Sequence, residues 1–305
     1  MTVQQCLQKY TPAIDILDCE LILAHALKVT RVFIATHPEY EIPHNAYVEI
    51  EESMRRRRDH EPLAYILGTK EFYGLPFLVT RDTLIPRPET ELMVDEILKD
   101  ISHSDQKTLI VDVGTGSGCI VISLAHEHLH GQHRLPAHSL ATEHFSYVAI
   151  DISRDALIVA EKNAKKNSVE KNITFLQSDL IETLAKKITL SSFEKIIFAA
   201  NLPYLSNDIY EAAMPDVKNH EPETALVSDN NGLAHYEKLL KQMSEYSISN
   251  TQKNPSSFDL YFEISPEQNI PIQALIHTYF PQAILTSFKD LTNRARLIKI
   301  QTRAQ

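Results

Sequence analysis

From about Lys107 the chain alternates short apolar runs with longer stretches of helical period, and no other feature restricts its architecture as strongly. The apolar runs are "TLIVDVG", "SYVAIDI", "ITFLQSD", "KIIFAAN" and "LYFEIS"; between them lie "CIVISLAHE", "SRDALIVAEKNAKKN" and "GLAHYEKLLKQMSEY". Short β-branched runs separated by helical segments predict βαβ units, and hence a mostly parallel, doubly wound sheet of the Rossmann-like kind. The tail "AILTSFKDLTNRARLIKIQ" reads as two further strands joined by a loop, an antiparallel pair at the end of the sheet.

Ahead of this region the chain has a different grain. The first 60 or so residues read as helices, with Thr11-Pro12 as a cap and first helical position, and with Ile14, Leu17, Leu21 and Ala24 on one face. A second helix, roughly Asn45 to Asp59, ends in Arg55 to Arg58; cations there suit the helix dipole, which accounts for the run without a nucleic-acid partner. "AYILGTKEFYGLPFLVT" reads as a β-hairpin, and "LIPRPETELMVDEIL" opens a helix with Pro88 near its start. The domain boundary is placed near Thr83 to Ile85, giving a helical domain with hairpin over 1–84 and an α/β domain over 85–305.

Composition narrows the function classes. No apolar run reaches the roughly 20 residues of a membrane span, and "MTVQQCLQKY" lacks a basic-then-apolar leader pattern, so a cytoplasmic protein is expected. Cys6, Cys19 and Cys119 are widely spaced and odd in number, which fits buried reduced thiols. A net charge of −10 disfavours direct binding of nucleic acid. The stretch from His126 to His144 holds six histidines but no cysteine and no metal-ligand spacing, and is read as a solvated insertion.

Three of only seven glycines fall between Gly114 and Gly118, which marks a backbone requirement at that point. "DVGTGSG" stands at a strand end and opens a helix, where exposed backbone N–H groups and small residues let a ligand approach. Its G-x-G-x-G spacing after Asp112 differs from the dinucleotide fingerprint and fits a cofactor without a pyrophosphate. The spacing alone carries little weight. Asp151 ends the next strand, placed to accept the two hydroxyls of a ribose, and Asp179 ends the third, placed to meet an adenine edge. The fourth strand ends in Asn201, Leu202, Pro203 and Tyr204: an amide, an extended pre-proline residue with its carbonyl turned outward, a stiff turn and a flat ring. Two acceptors and a stacking face suit a planar group bearing –NH₂, although a strand-ending turn with a buried tyrosine explains these four residues alone slightly better.

With these motifs in view, the chain resembles the HemK/PrmC family of protein-glutamine N5-methyltransferases, class I enzymes dependent on S-adenosyl-L-methionine. The likeness runs through "DCELILAHAL", "EPLAYILGTKEFYGLPFLVTRDTLIPRPETE", "DVGTGSG", "NLPYL" and "EPETALVSDNNGL", and more loosely through "YFEISPEQ" and "KDLTNRARLI". It implies a seven-stranded, mostly parallel sheet with an antiparallel last strand, a small N-terminal helical domain that docks the protein substrate, and a linking hairpin. It implies methylation of the glutamine side-chain amide in the Gly-Gly-Gln tripeptide of class I peptide chain release factors, by a monomer. By the same resemblance Gly114, Thr115, Gly116, Ser117 and Gly118 cradle the methionine part of the cofactor, Asp151 holds the ribose, Asp179 and Leu180 border the adenine, and Asn201 with the Leu202 carbonyl holds the substrate amide against Tyr204. Two departures stand out: Leu202 replaces the first proline of the usual Asn-Pro-Pro-Tyr, and Asn293 stands where glycine is common. Since the sulfonium methyl is already activated, no metal is needed and catalysis reduces to in-line positioning. The rival readings are an adenine-N6 methyltransferase acting on DNA or RNA, which would use the same motif on a flipped base, and a non-catalytic module that only binds the cofactor.

Overall fold

The computed structural model describes residues 1–102, 104–131, 144–249 and 257–303. The chain divides into two compact units: Met1–Lys70 together with Ala213–His220, and Glu71–Ala212 together with Glu221–Gln305. This division lies upstream of the 84/85 boundary read from the sequence.

The first unit is helical. Its principal helices are Val3–Tyr10, Ile16–Leu27, Arg31–Thr36 and His44–Arg58, packed on a core that includes Cys6, Cys19, Ile22, Leu23, Ile34, Ile50 and Met54. The first helix starts earlier than expected, because Thr2 forms a reciprocal capping box with Gln5. Thr11 closes that helix, and Asp15 caps the next one, at Ile16, by accepting from the Leu17 N–H at 2.8 Å. The buried stripe is shifted accordingly: Cys19, Ile22 and Leu23 face inward and Leu17 is exposed. The arginine run is an ion-pair array. Arg55 pairs with Glu52 and Asp59, Arg56 with Glu61, and Arg57 with both Asp18 and Asp216. Cys6, Cys19 and Cys119 are free and buried; burial raises the Cys6 thiol to about 11 and the Cys19 thiol to about 12, which leaves both unreactive.

The hairpin is shorter than expected. Leu63–Leu67 is a helical turn ended by Gly68, and the strands are β1 (Thr69–Phe72) and β2 (Leu75–Leu78), joined by Tyr73 and Gly74, both at positive φ. Phe72 and Phe77 pack edge-to-face, with Met93, Val94 and Ile97 of the helix Glu91–Ile101 in the same cluster, so these aromatics belong to the sheet unit's core.

The second unit holds a seven-stranded sheet of β3 (Thr108–Val113), β4 (Phe145–Asp151), β5 (Ile173–Gln177), β6 (Lys195–Ala200), β7 (Ser257–Glu263), β8 (Ile284–Lys289) and β9 (Ala295–Arg303). The spatial order is β5-β4-β3-β6-β7-β9-β8, with β9 antiparallel to both neighbours and the other pairings parallel. This is the expected sheet, last strand included. The β8–β9 turn uses Asn293 at φ 63°, the left-handed geometry that asparagine tolerates in place of glycine. Strand β3 is buried at every residue, as a central strand covered on both faces must be. Register sets the functional edge. Val113 pairs with both Ile150 and Ala200, and Ala200 with Phe262, so Gly114, Asp151, Asn201 and Glu263 emerge level at one end of the sheet.

Candidate active site

A cavity of about 360 Å³ opens at that edge, within the roughly 300–1,000 Å³ usual for small-ligand sites. It is lined by Gly114 to Ser117 from the loop after β3, Asp151 and Ile152 after β4, Asp179 and Leu180 after β5, and Asn201, Leu202 and Pro203 after β6. Arg87 and Thr90, and farther along the chain Pro222 and His235, are also part of the lining. Of the residues that the resemblance assigned to the site, Gly118 and Tyr204 are not in this lining.

The glycine loop turns left-handed three times, at φ 76°, 54° and 82° for Gly114, Gly116 and Gly118. Gly118 is the N-cap of the helix Cys119–His130; a Cβ there would come within 2.6 Å of Ile122 Cδ1 and 3.2 Å of the Ala160 Cβ, so this glycine is needed for helix packing. Beneath the loop Asp112 is fully buried. Its Oδ2 accepts from the Thr115 hydroxyl at 2.7 Å and the Val121 N–H at 3.3 Å, while its Oδ1 has no hydrogen-bond partner among the described residues. Burial pushes this carboxyl up to about 7, against the pull of Thr115 and Val121. Asp151 accepts the Gly116 N–H on Oδ2 and the Ser153 N–H on Oδ1, at 2.8 and 2.9 Å, so it braces the loop from the neighbouring strand. Burial raises its pKa as well, opposed by those backbone N–H groups. The Asp179 carboxylate pairs with Lys238. Leu180 is buried at φ 52°, and Ile152 keeps 65% of its surface exposed within the lining.

At the far end, Asn201 Nδ2 donates to Thr90 Oγ1 at 3.2 Å. Thr90 is itself buried, and its hydroxyl pulls the pKa of the Glu263 carboxyl down. Glu263 is buried at the end of β7, its Oε2 has no hydrogen-bond partner among the described residues, and burial raises its pKa to about 7 against the pull of Thr90. The Leu202 N–H donates to the Tyr236 hydroxyl at 3.3 Å, and Leu202 Cδ2 lies 3.0 Å from where a Cβ on Gly114 would stand. The Tyr204 carbonyl accepts from Gln268 Nε2 at 2.9 Å, while its ring packs against the core cluster under the sheet. Glu221, also buried, accepts from the Ile85 N–H at 3.2 Å and from Arg87 at 2.5 Å, which holds the "LIPRPET" segment against the site. Thr90, Glu221, Tyr236 and Glu263 escape a reading of single motifs. The only trace of Thr90, Glu221 and Glu263 in the sequence is that each lies in a segment that carries the family likeness, "RPET", "EPET" and "YFEIS"; Tyr236 lies three residues beyond "EPETALVSDNNGL" and has no such trace.

Among the described residues, none of the histidine-rich stretch lines this site. His128 is buried and bonded through Nδ1 to the Tyr147 hydroxyl at 2.9 Å, His133 and His138 lie outside the described residues, and among the described residues no cluster could hold a metal.

Residues 2–68 match the PrmC N-terminal domain and residues 104–268 match a methyltransferase domain. Release factor glutamine methyltransferases from Flavobacterium psychrophilum and Clostridium botulinum are 35% and 31% identical, over 92% and 93% of this chain and 88% and 90% of theirs. The chain belongs to the release factor glutamine methyltransferase family. Another relative so named, from Enterococcus faecalis, is 33% identical over 86% of this chain and 83% of its own. Among solved structures, the hMettl16 catalytic domain with an RNA hairpin superposes with a TM-score of 0.52, covering 85% of this chain and 81% of that one. At 14% identity that likeness describes the fold, which a release factor glutamine methyltransferase shares with class I methyltransferases at large.

Proposed function

We propose that this protein is a protein-(glutamine-N5) methyltransferase that moves a methyl group from S-adenosyl-L-methionine to the side-chain amide nitrogen of the Gly-Gly-Gln glutamine in class I peptide chain release factors, as a cytoplasmic monomer. The observation that carries the reading is Asn201, its amide tethered by Thr90, in the same cavity as the glycine loop and Asp151.

The residues present fit the cofactor. The left-handed loop Gly114–Gly118 leaves open backbone for the methionine moiety, and each Asp151 oxygen retains a lone pair for a ribose hydroxyl beyond the one bond it already accepts. Ile152 and Leu180 give apolar surface for the adenine, with Asp179 at its edge. The cofactor supplies a methyl group activated by its sulfonium. The chain supplies position: Asn201 Oδ1 and the Leu202 carbonyl accept the two hydrogens of the glutamine amide, aiming its nitrogen and favouring the positive charge that develops there. Pro203 keeps Leu202 extended, and Tyr204 anchors the turn through its carbonyl. The helical unit is assigned to docking the release factor. Arg55, Arg56 and Arg57 are engaged by carboxylates within that unit, which, with the acidic net charge, speaks against direct nucleic-acid binding.

Labelled cofactor offered to a release factor, to its glutamine-substituted variant and to a DNA oligonucleotide tests the proposal. Label is expected on the intact release factor only; label on DNA alone overturns the reading. Asn201→Ala should abolish turnover while cofactor affinity stays nearly intact, and equal loss of both sinks the role given to Asn201.

A further inference from the structure

Leucine at position 202 brings a backbone N–H that proline lacks. That N–H lies at the buried end of β6, where an unpaired donor is costly. Its partner is the Tyr236 hydroxyl, 3.3 Å away. Tyr236 sits near the start of the helix Ala234–Ser249, is fully buried, and packs its ring 4.7 Å from that of Phe262 on β7. Its own hydroxyl proton goes to the Glu263 backbone carbonyl, so toward Leu202 the oxygen acts as acceptor. The peptide unit held in this way is the one that joins Asn201 to Leu202. Asn201 is therefore fixed at two points: its side-chain amide by Thr90, and its backbone by Tyr236.

We propose that Tyr236 is a positioning residue for Asn201, acting through the Leu202 N–H that stands where the family usually has proline, an inference that rests on the methyltransferase reading above. Tyr236 is not among the residues lining the cavity; it sets the plane from which the Asn201 side chain and the following carbonyl project. The dependence is conditional. With proline at 202 there is no N–H to satisfy, and the tyrosine hydroxyl keeps only its bond to Glu263.

The test is a double-mutant cycle of wild type, Tyr236→Phe, Leu202→Pro and the double variant, reading release-factor methylation, cofactor affinity and melting temperature. Tyr236→Phe in the native background should lower kcat roughly tenfold, about 1.4 kcal/mol, with cofactor Kd changed by less than about twofold, because the glycine loop and Asp151 are untouched. In the Leu202→Pro background the same change should cost less than about threefold. An equal loss in both backgrounds, or no loss in the native one, overturns the proposal. Amide hydrogen exchange on the wild-type protein decides the contact without any variant: the Leu202 N–H is expected to be protected, and an unprotected amide refutes the proposal even where Tyr236→Phe proves too unstable to assay. A wild-type protein that leaves release factors unmodified counts against the function itself, and is distinguished from failure of the cycle by that first measurement.

Discussion

Gly232 offers the sharpest probe of the site's geometry. It sits at φ 82°, and a Cβ built on it would lie 1.9 Å from the Tyr204 carbonyl oxygen, 2.7 Å from its carbon and 2.5 Å from Gln268 Nε2. Side chains essentially never approach closer than 3.0 Å, so in Gly232→Ala the Tyr204 carbonyl must retreat by about 1 Å or the glycine segment must move away. Either movement strains the bond from Gln268 Nε2 to the Tyr204 carbonyl, and that side chain also bonds the Asn231 carbonyl at 3.1 Å. Left-handed backbone at alanine costs about 1–2 kcal/mol, and each lost hydrogen bond about 0.5–1.5 kcal/mol, so with both Gln268 bonds lost a destabilisation of roughly 2–5 kcal/mol is expected. The functional effect is larger in kind. Tyr204 is three residues from Asn201 on a stiff turn, and a displacement of about 1 Å near a reacting group costs on the order of 100-fold in rate. Turnover on a release factor should fall by about that factor, while cofactor affinity measured by calorimetry stays near wild type. A Gly232→Ala enzyme that melts lower yet turns over within about threefold of wild type would show that the clash relaxes away from the turn, and the link from Gly232 to the amide site would be refuted.

Thr90→Val removes the acceptor for Asn201 Nδ2 and should lower kcat by about tenfold with little change in cofactor Kd; Thr90→Ser should restore most of it, and a valine variant at wild-type kcat removes Thr90 from the site's machinery. Asp112 governs a pH effect. Its folded pKa, near 7, is raised above its unfolded value, so the stability it contributes is complete below about pH 4 and is lost as pH rises through about 7. Asp112→Asn, neutral at every pH, should therefore flatten the fall in unfolding free energy between about pH 4 and pH 7. Part of the slope remains from Glu263, raised in the same direction; identical slopes in wild type and variant would show that burial does not hold Asp112 protonated.

The sheet was legible because its signal is local. Each strand is a short apolar run, each crossover a helical period, and the glycine loop is a backbone need written into five consecutive residues. Asn201 and Asp151 were legible for the same reason, as polar residues at strand ends that a parallel sheet brings to one edge. Local ambiguity explains the misreadings nearby. Thr11-Pro12 has the chemistry of a helix start, but the capping box at Thr2 places the first helix earlier and Asp15 takes the second; "AYIL" has strand-like composition but forms a turn of helix closed by Gly68. The residues that hold the site in shape were not legible, because their partners are far away in the chain. Thr90 reaches Asn201 across 111 positions, Glu221 reaches Ile85 across 136, and Tyr236 meets the Leu202 N–H across 34. The sequence by itself determined the parallel sheet, the glycine loop and the Asn201–Tyr204 motif at the strand end, since periodicity and backbone preference act over a few residues. Only the tertiary structure decided how that motif is braced, because hydrogen bonds between buried groups are set by packing and not by spacing along the chain.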